Sequence, residues 1–193
     1  YITRIEVWVT NRNNSIENTR NIIAFSDLGE SEQTNCQGNP GNYATDIIPR
    51  NESNGLYDWA SNQPLIRSFA NSVGVLSSQF TTPGPFNQAV EYEKLENARR
   101  LEQSDYTYNA LLGYISLNSP LNNDEVLSVA YEYTYRGETY QVGEFSTDGS
   151  TGQDALILKL LKPTITNPNN KVWDLMMKNV YSIGAYQVDQ LGF

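Results

Sequence analysis

Side chains that alternate with a period of two constrain this chain more than any other feature of its sequence. Residues 127–135 carry an apolar or aromatic side chain at every second position: Leu127, Val129, Tyr131, Tyr133 and Tyr135. Residues 1–10 alternate in the same way. Successive side chains of a β-strand point to opposite faces of a sheet, so this period predicts a strand at each of the two places.

Two consecutive hairpins are predicted in the second half of the chain. In the first, the strand that holds Tyr106 and Tyr108 returns along residues 114–117 after a short turn. In the second, the long strand at residues 127–135 returns along residues 140–145. Strands that follow one another through hairpins lie antiparallel, so an antiparallel meander is expected here.

Three further apolar runs are short enough to be strands. Residues 21–25 follow a turn rich in asparagine, and residues 73–80 precede a break that contains Pro and Gly. Residues 155–162 are apolar on both faces, which is typical of a central strand that is covered on two sides. A strand is therefore predicted at each of these places.

Helices are predicted in two regions. Residues 56–61 follow Asn54, a favoured N-cap, and residues 64–72 begin with proline, which suits the first turn of a helix. Residues 171–180 place four apolar side chains at helical spacing: Trp173, Met176, Met177 and Val180. Such spacing predicts a short amphipathic helix that packs on a sheet.

Residues 88–101 have an ambiguous pattern. Val90, Leu95, Ala98 and Leu101 approach the spacing of one face of a helix, and charged residues lie between them. On this pattern alone the segment is predicted to be helical.

Together these elements predict a mostly β fold of the α+β class, with antiparallel meander or sandwich-like sheets and two or three short helices packed on them. Residues 33–54 and 146–154 are expected to be loops because they are rich in Gly and polar residues.

One domain is expected over residues 1–193, and a division near residues 81–87 stays open. Both ends fall inside extended runs, so the chain is interpreted as a fragment of a longer polypeptide.

The charge balance excludes one class of partner. The chain has 13 Lys and Arg against 22 Asp and Glu, a formal net charge of −9. Binding to the phosphate backbone of a nucleic acid requires a basic footprint, and the basic pair Arg99 and Arg100 is isolated.

The longest strongly apolar run, residues 155–161, is far shorter than the roughly 20 residues that span a bilayer as a helix. A soluble segment that does not bind nucleic acid is therefore expected.

The residues that carry most enzyme chemistry are scarce. The chain has no histidine, and its single cysteine, Cys36, has no partner for a disulfide. Catalytic triads and zinc sites depend on these two residue types, so both are effectively excluded. No catalytic residue, cofactor or metal is predicted, and the chain is not expected to be an enzyme.

Two carboxylates would suffice for glycoside hydrolysis, so the acidic runs are the remaining catalytic candidates. These candidates are Glu91, Glu93, Glu96, Asp124 and Glu125. Adjacent acids on a strand point to opposite faces, and acidic runs are usually solvated. A structural role is therefore favoured for all five.

Two binding roles are weighed in the same way. Asp148 and Asp154 flank a loop with Gly149 and Gly152, which resembles a calcium loop, but the spacing does not match the EF-hand. A plain loop is favoured, and calcium binding stays open. Three tryptophans are candidates for a platform that stacks on sugars: Trp8, Trp59 and Trp173. A Trp in a strand or an amphipathic helix is more often part of the core.

Six literal strings of the sequence are specific: YITRIEVWVTNR at residues 1–12, DLGE at 27–30, LGYISLNSPLNNDEVL at 112–127, YQVGEF at 140–145, LILKLLK at 156–162 and WDLMMKNVYSIGA at 173–185. These strings are similar to the SprA (also called Sov) family. The resemblance runs from residue 1 to residue 193 and is weakest across residues 32–54. Long literal strings are far more specific than a short degenerate pattern.

The resemblance implies a parent protein that is a giant outer-membrane protein of the Bacteroidetes. Such proteins form the translocon of the type IX secretion system, a very large transmembrane β-barrel, and are needed for gliding motility in gliding species. The resemblance also favours a strand in residues 91–101, against the helical pattern. It implies an extramembrane segment, on a side that stays open, whose partners are other secretion-system proteins and exported cargo proteins.

The function expected from the sequence is therefore structural: a non-catalytic segment of an outer-membrane protein-export translocon. The alternatives are a cell-surface adhesin or carbohydrate-binding β module and a glycosidase domain with two carboxylates. A sugar-binding module requires an exposed row of aromatic residues. The glycosidase requires two acids roughly 5–10 Å apart in a cleft.

Overall fold

Strands dominate the part of the chain that the structure describes. The computed structural model describes residues 1–28, 55–77, 86–148 and 154–177. The strands in these ranges are β1 (Ile2–Val9), β2 (Thr19–Phe25), β3 (Tyr92–Arg100), β4 (Tyr106–Asn109), β5 (Tyr114–Leu117), β6 (Leu127–Tyr135), β7 (Glu138–Val142) and β8 (Leu156–Lys162). The helices are α1 (Gly55–Ser61), α2 (Pro64–Arg67) and α3 (Ser72–Ser77), with a 3-10 helix at Lys171–Leu175. The predicted mostly β fold with short helices is confirmed.

Six of these strands form one sheet that closes on itself. Its order is β1-β3-β2-β8-β6-β7, and β1 also pairs with β6. Five strands thus close into a small cylinder, and β7 extends from it as the hairpin partner of β6. All pairs are antiparallel except β2 with β8, which is parallel. Strands from both sides of residues 81–87 take part in this sheet.

Strand β6 has three neighbours. Its residues Leu127–Tyr133 pair with β1 along one edge. Along its other edge, the first residues pair with β8 and the last residues, from Tyr131 onward, pair with β7. Closure of the sheet therefore depends on β6 at two pairings, with β1 and with β8.

An interior cluster fills the closed sheet. Each of the five closing strands contributes alternate residues to it, as the period of two requires. Its buried members are Trp8, Ile22, Ala24, Ala98, Val126, Ala130, Phe145, Leu156, Leu158, Leu160 and Val172. Because neighbouring residues of the same strands face outward, the closed sheet also needs cover on its outside.

Two outer clusters provide this cover. In the helix-side cluster, the three helices pack on residues of β2 and β8 that include Ile23, Phe25 and Ile157. In the hairpin-side cluster, the β4–β5 hairpin packs on residues of β1 and β6 that include Val7 and Val129. Both faces of β8 are buried as a result, which confirms the prediction of a central strand covered on two sides.

Two predicted elements differ from the structure. Residues 73–80 were predicted to be a strand, but α3 covers Ser72–Ser77. The helix predicted at residues 64–72 is interrupted, because α2 ends at Arg67 and Ser68 makes an isolated β-bridge with Asp154. This bridge attaches the helical region to the residue that lies just before β8. A short apolar run does not distinguish a strand from a buried helix, and tertiary contacts decided here.

The helix predicted at residues 171–180 is shorter in the structure. A 3-10 helix covers Lys171–Leu175, and Met176 is already extended. Val172, which was not in the predicted apolar set, is the buried residue, whereas Met177 is exposed. Residues 178–180 lie outside the described part, as do Cys36, the predicted loop at residues 33–54 and residues 149–153 of the second loop.

Residues 92–100 form a strand, so the helical pattern was wrong and the expectation from the resemblance was right. The cause is a β-bulge. One residue of β2, Asn21 between Arg20 and Ile22, lies opposite two residues of β3 between Leu95 and Ala98, and Asn97 has a positive φ of 50°. The extra residue changes the spacing of inward side chains from two to three, which imitates a helix.

Gly143 provides a test of how tightly β7 meets the sheet. Its φ is +77°, and a Cβ here would lie 3.2 Å from the Val129 oxygen and 3.3 Å from Ala130 Cα. Because both neighbours are backbone atoms of β6, we expect Gly143→Ala to lower the free energy of unfolding by about 2–4 kcal/mol. Chemical denaturation measures this change.

The matched control is Gly137→Ala in the β6–β7 turn. Gly137 has φ +88°, but a Cβ at this position would meet nothing within 4 Å, so only the conformational penalty of about 1–2 kcal/mol applies. Equal losses for the two variants would contradict a close approach at Gly143.

Candidate functional site

A polar cleft lies at one end of the closed sheet. Its volume is about 280 Å³, and it is lined by Trp8, Ile16, Asn18, Thr19, Arg20, Arg100 and Ser146. Thr19 and Arg20 lie at the start of β2, Asn18 directly precedes them, and Arg100 ends β3. The cleft combines an aromatic ring with two guanidinium groups, so it is a candidate binding site.

Glu6 organises the charged groups beside this cleft. It is buried, and its carboxylate accepts hydrogen bonds from Ser146 N (2.9 Å) and from Ser146 Oγ (2.9 Å). The guanidinium of Arg100 donates to Ser146 Oγ at 2.7 Å and lies 3.5 Å from Glu6 Oε1. The Arg4 guanidinium lies 3.4 Å from the same carboxylate oxygen and 3.8 Å above the Phe145 ring. These bonds attach the turn after β7 to β1.

A second buried acid, Glu144, attaches the helices to the sheet. Arg67 donates to both of its oxygens, at 3.1 Å and 2.5 Å, and Tyr57 OH donates at 3.1 Å. The backbone N–H of Ile157 in β8 donates to Glu144 Oε2 at 2.9 Å. The carboxylate thus receives four donors from α1, α2 and β8, an arrangement that suits a structural role.

The surroundings of Glu144 change the acidity of its two side-chain partners. Burial and the neighbouring Glu144 carboxylate raise the pKa of Tyr57 to about 12. The hydrogen bond to Glu144 raises the pKa of Arg67, so this guanidinium stays charged. Both shifts keep the donors protonated, as the hydrogen bonds require.

The raised pKa of Tyr57 predicts a loss of stability in alkaline solution. A group whose pKa is higher in the folded state stabilises the fold fully below its unfolded pKa, here about 10, and loses that contribution as pH rises through its folded pKa of about 12. We expect the stability difference between the wild type and Tyr57→Phe to be constant below about pH 10 and to shrink between about pH 10 and 12. Urea denaturation at each pH measures it.

The comparison with Tyr57→Phe isolates this one group. Burial also raises the pKa of Tyr92 and of Tyr106, and both of these residues are present in the two proteins. A stability difference that did not change across this pH range would show that Tyr57 is not buried against Glu144.

The structure separates the acids at residues 91, 93 and 96. Glu93 is buried, and its Oε1 accepts from Thr164 N at 2.7 Å and Thr164 Oγ1 at 2.6 Å. Glu91 accepts from the backbone N–H of Asn87 at 2.7 Å, and Glu96 is exposed. Each acid has its own surroundings, so the structural reading of this run is supported.

Asp124 and Glu125 share one partner, Arg12. Asp124 is exposed and forms an ion pair with Arg12, and Glu125 Oε1 lies 3.2 Å from Arg12 Nε. Glu125 also accepts from the backbone N–H of Asn122 at 2.6 Å, which closes the turn before β6. The pair joins the segment after β1 to this turn.

The two acids weighed for calcium have different neighbours. Asp148 Oδ2 accepts from Phe145 N at 2.8 Å and from Gln141 Nε2 at 2.7 Å, which closes a turn. The Asp154 backbone oxygen accepts from Arg20 at 3.4 Å. Gly149 and Gly152 lie outside the described residues. Within the described ranges, no three His, Cys, Asp or Glu side chains gather as a metal site would require.

The three tryptophans do not form one platform. Trp8 belongs to the interior cluster, whereas Trp59 packs on the helix-side cluster and stacks on Phe86 at 6.3 Å between ring centroids. Trp173 is half-buried in the 3-10 helix. Trp8 and Trp59 are thus on opposite faces of the sheet wall, so they cannot present a joint sugar-binding surface.

Sequence reasoning missed Glu6 and Glu144, the acids at the centre of the two clusters. It also treated Arg99 and Arg100 as an isolated pair, whereas Arg99 pairs with Asp105 at 3.3 Å and Arg100 lines the cleft. One indication was present: Glu6 interrupts a strand that is apolar around it. A charged residue in such a place usually has a buried partner.

No protein-family model matches the chain, and no curated protein shows detectable similarity to it. The family resemblance of the six strings therefore stays a prediction. Among the helices in the described ranges, none is long and apolar enough to cross a membrane.

Proposed function

We propose that the chain is a non-catalytic structural and interaction segment of an outer-membrane protein-export translocon, of the type that serves type IX secretion and gliding motility. Its parent protein is anchored in the outer membrane, and the segment itself is extramembrane. Its partners are other proteins of the secretion machinery and the exported cargo proteins.

One observation carries this proposal: two of the six strings that resemble the translocon family contain strands that close the sheet. The first string covers all of β1, and LILKLLK is β8 itself. YQVGEF contains Gly143 and the buried Glu144. Because β1 and β8 are strands of the closed sheet, the resemblance extends into the framework of the fold and is not confined to one loop. This supports a shared fold and a shared role.

The use of the buried acids supports a non-catalytic role. Glu6, Glu93, Glu125 and Glu144 all accept hydrogen bonds from backbone N–H groups, and three of them also face an arginine. These acids connect loops and helices to the sheet, so they give the domain rigidity that a channel element needs.

The mechanism that follows is steric. A large export channel has an open aqueous lumen unless folded elements obstruct it. A rigid domain that is attached at its edge can line, cap or brace such a channel, or it can contact cargo and partner proteins.

The test is to replace this segment in the parent protein by a flexible linker in a gliding species. We expect secretion of a reporter cargo and gliding to be lost while the parent protein remains in the outer membrane at its normal level. Substitution of the exposed Leu65 by alanine is the control, and it is expected to leave both unchanged. Normal secretion without the segment would contradict the proposal, and glycan binding by the 193-residue chain would favour the adhesin alternative.

A further inference from the structure

The tip of the β4–β5 hairpin exposes two adjacent leucines. Leu111 is 80% exposed and Leu112 is 71% exposed, although both lie next to strands that are packed on the sheet. Farther from the tip, Tyr106 and Leu117 pack in the hairpin-side cluster. The hairpin is therefore anchored at its base, and its most apolar pair projects into solvent.

The hairpin itself carries no charged side chain around the leucines. Residues 106–123 contain no Asp, Glu, Lys or Arg, although charged residues make up 18% of the whole chain. Tyr108 and Tyr114 are exposed on opposite faces of the hairpin, one on each side of the tip. Tyrosine is enriched at the interface between membrane and water, because its ring is apolar and its hydroxyl is polar.

Several backbone groups of the tip have hydrogen-bond partners within the chain. Asn109 Oδ1 accepts from the backbone N–H groups of Leu111 (3.0 Å) and Leu112 (2.8 Å), and Asn109 O accepts from Gly113 N at 2.9 Å. The Ala110 oxygen accepts from Ile2 N at 2.9 Å. An apolar medium is costly for backbone groups that lack partners, so these four bonds lower the cost of moving the tip out of water.

We propose that this tip, residues 108–114, inserts into the interfacial layer of a lipid bilayer, with Leu111 and Leu112 in the acyl region and the two tyrosines at the level of the headgroups. The inference rests on the hairpin alone and does not depend on the proposed function.

Size and charge favour lipid over a protein partner. A stable protein–protein interface uses about 20–30 residues on each side, far more than this convex tip offers. Insertion needs only a few apolar side chains that can enter a fluid layer. The net charge of −9 opposes attraction to anionic headgroups, so the binding is apolar in origin.

Flotation of the 193-residue chain with phosphatidylcholine vesicles tests the insertion. We expect the wild type to float with the vesicles, and Leu111→Glu combined with Leu112→Glu to lower the partition coefficient about tenfold or more, because a carboxylate is costly in the acyl region. Leu65→Glu is the matched control, since Leu65 is also an exposed leucine at 56% but lies on α2. Adding anionic phosphatidylglycerol is expected to leave the partition unchanged or to weaken it.

A second measurement keeps the test independent of vesicle recovery. Brominated lipids are expected to quench the tryptophan fluorescence of the Leu111→Trp variant more than that of the wild type. For the Leu65→Trp variant, the quenching is expected to be no greater than for the wild type. The proposal is overturned if the wild type fails to float, if the Leu65→Glu control loses as much binding as the tip variant, or if binding requires anionic lipid. Self-association in the absence of lipid that the tip variant abolishes would also overturn it, in favour of a protein interface.

Discussion

Replacing Trp8 by alanine is expected to lower the free energy of unfolding by about 3–5 kcal/mol. Trp8 is 1% exposed and belongs to the interior cluster, where all five closing strands meet. The substitution removes a large buried side chain from the interior and enlarges the cleft that Trp8 lines. Single domains are stable by about 5–15 kcal/mol in total, so the variant is expected to be marginally folded. Urea denaturation followed by circular dichroism measures the loss.

Two further variants sharpen this test. Among the described residues, the buried Nε1 of Trp8 has no hydrogen-bond partner, so Trp8→Phe removes volume but also removes an unsatisfied donor. We expect it to cost clearly less than Trp8→Ala. Trp59→Ala should also cost less, because Trp59 is only half-buried. A loss below about 1 kcal/mol for Trp8→Ala would contradict the position of Trp8 in the interior.

Replacing Arg67 by methionine is expected to cost about 3–5 kcal/mol. Arg67 supplies two of the four donors to Glu144, whose side chain is only 4% exposed. Methionine retains most of the apolar stem but leaves the carboxylate buried with a charge that is no longer compensated. Chemical denaturation at neutral pH measures the effect.

A second substitution separates the charge from the loss of packing. Glu144→Gln in the Arg67→Met background removes the charge but retains an oxygen that accepts from Ile157 N. We expect the double variant to be more stable than Arg67→Met alone. The exposed pair of Arg99 and Asp105 offers a comparison, because Arg99→Ala is expected to cost at most about 1 kcal/mol. If the double variant were no more stable than Arg67→Met, the buried charge would not be the cause.

Local patterns predicted most of the strands because they reflect the two faces of a strand directly. The alternation at residues 127–135 and the apolar run at residues 155–162 correspond to β6 and β8. The pattern failed at β3, where a bulge next to Asn97 changes the spacing. It also gave no indication that β2 and β8 are parallel, since pairing between distant strands leaves no trace in a short window.

The polar clusters were harder to predict than the fold. Sequence reasoning examined acids that are neighbours in the chain, yet Glu6 meets Ser146 and Glu144 meets Arg67 only after folding. A buried charge needs a partner, and a local sequence pattern does not identify a partner that is distant in the chain. Alternation within β1 did position Glu6 on the same face as Trp8, and therefore at the end of the interior.

The two pairings of β6 have a consequence for the order in which this domain acquires its structure. β1 cannot form its ladder with β6 until residues more than a hundred positions later in the chain are present. The same holds for β2 and its partner β8. Contacts this remote give slow folding, and synthesis at about 5–20 residues per second delays the last strand by on the order of ten seconds or more. Until then the edges of the early strands lack their partners, and unpaired strand edges are sites of aggregation.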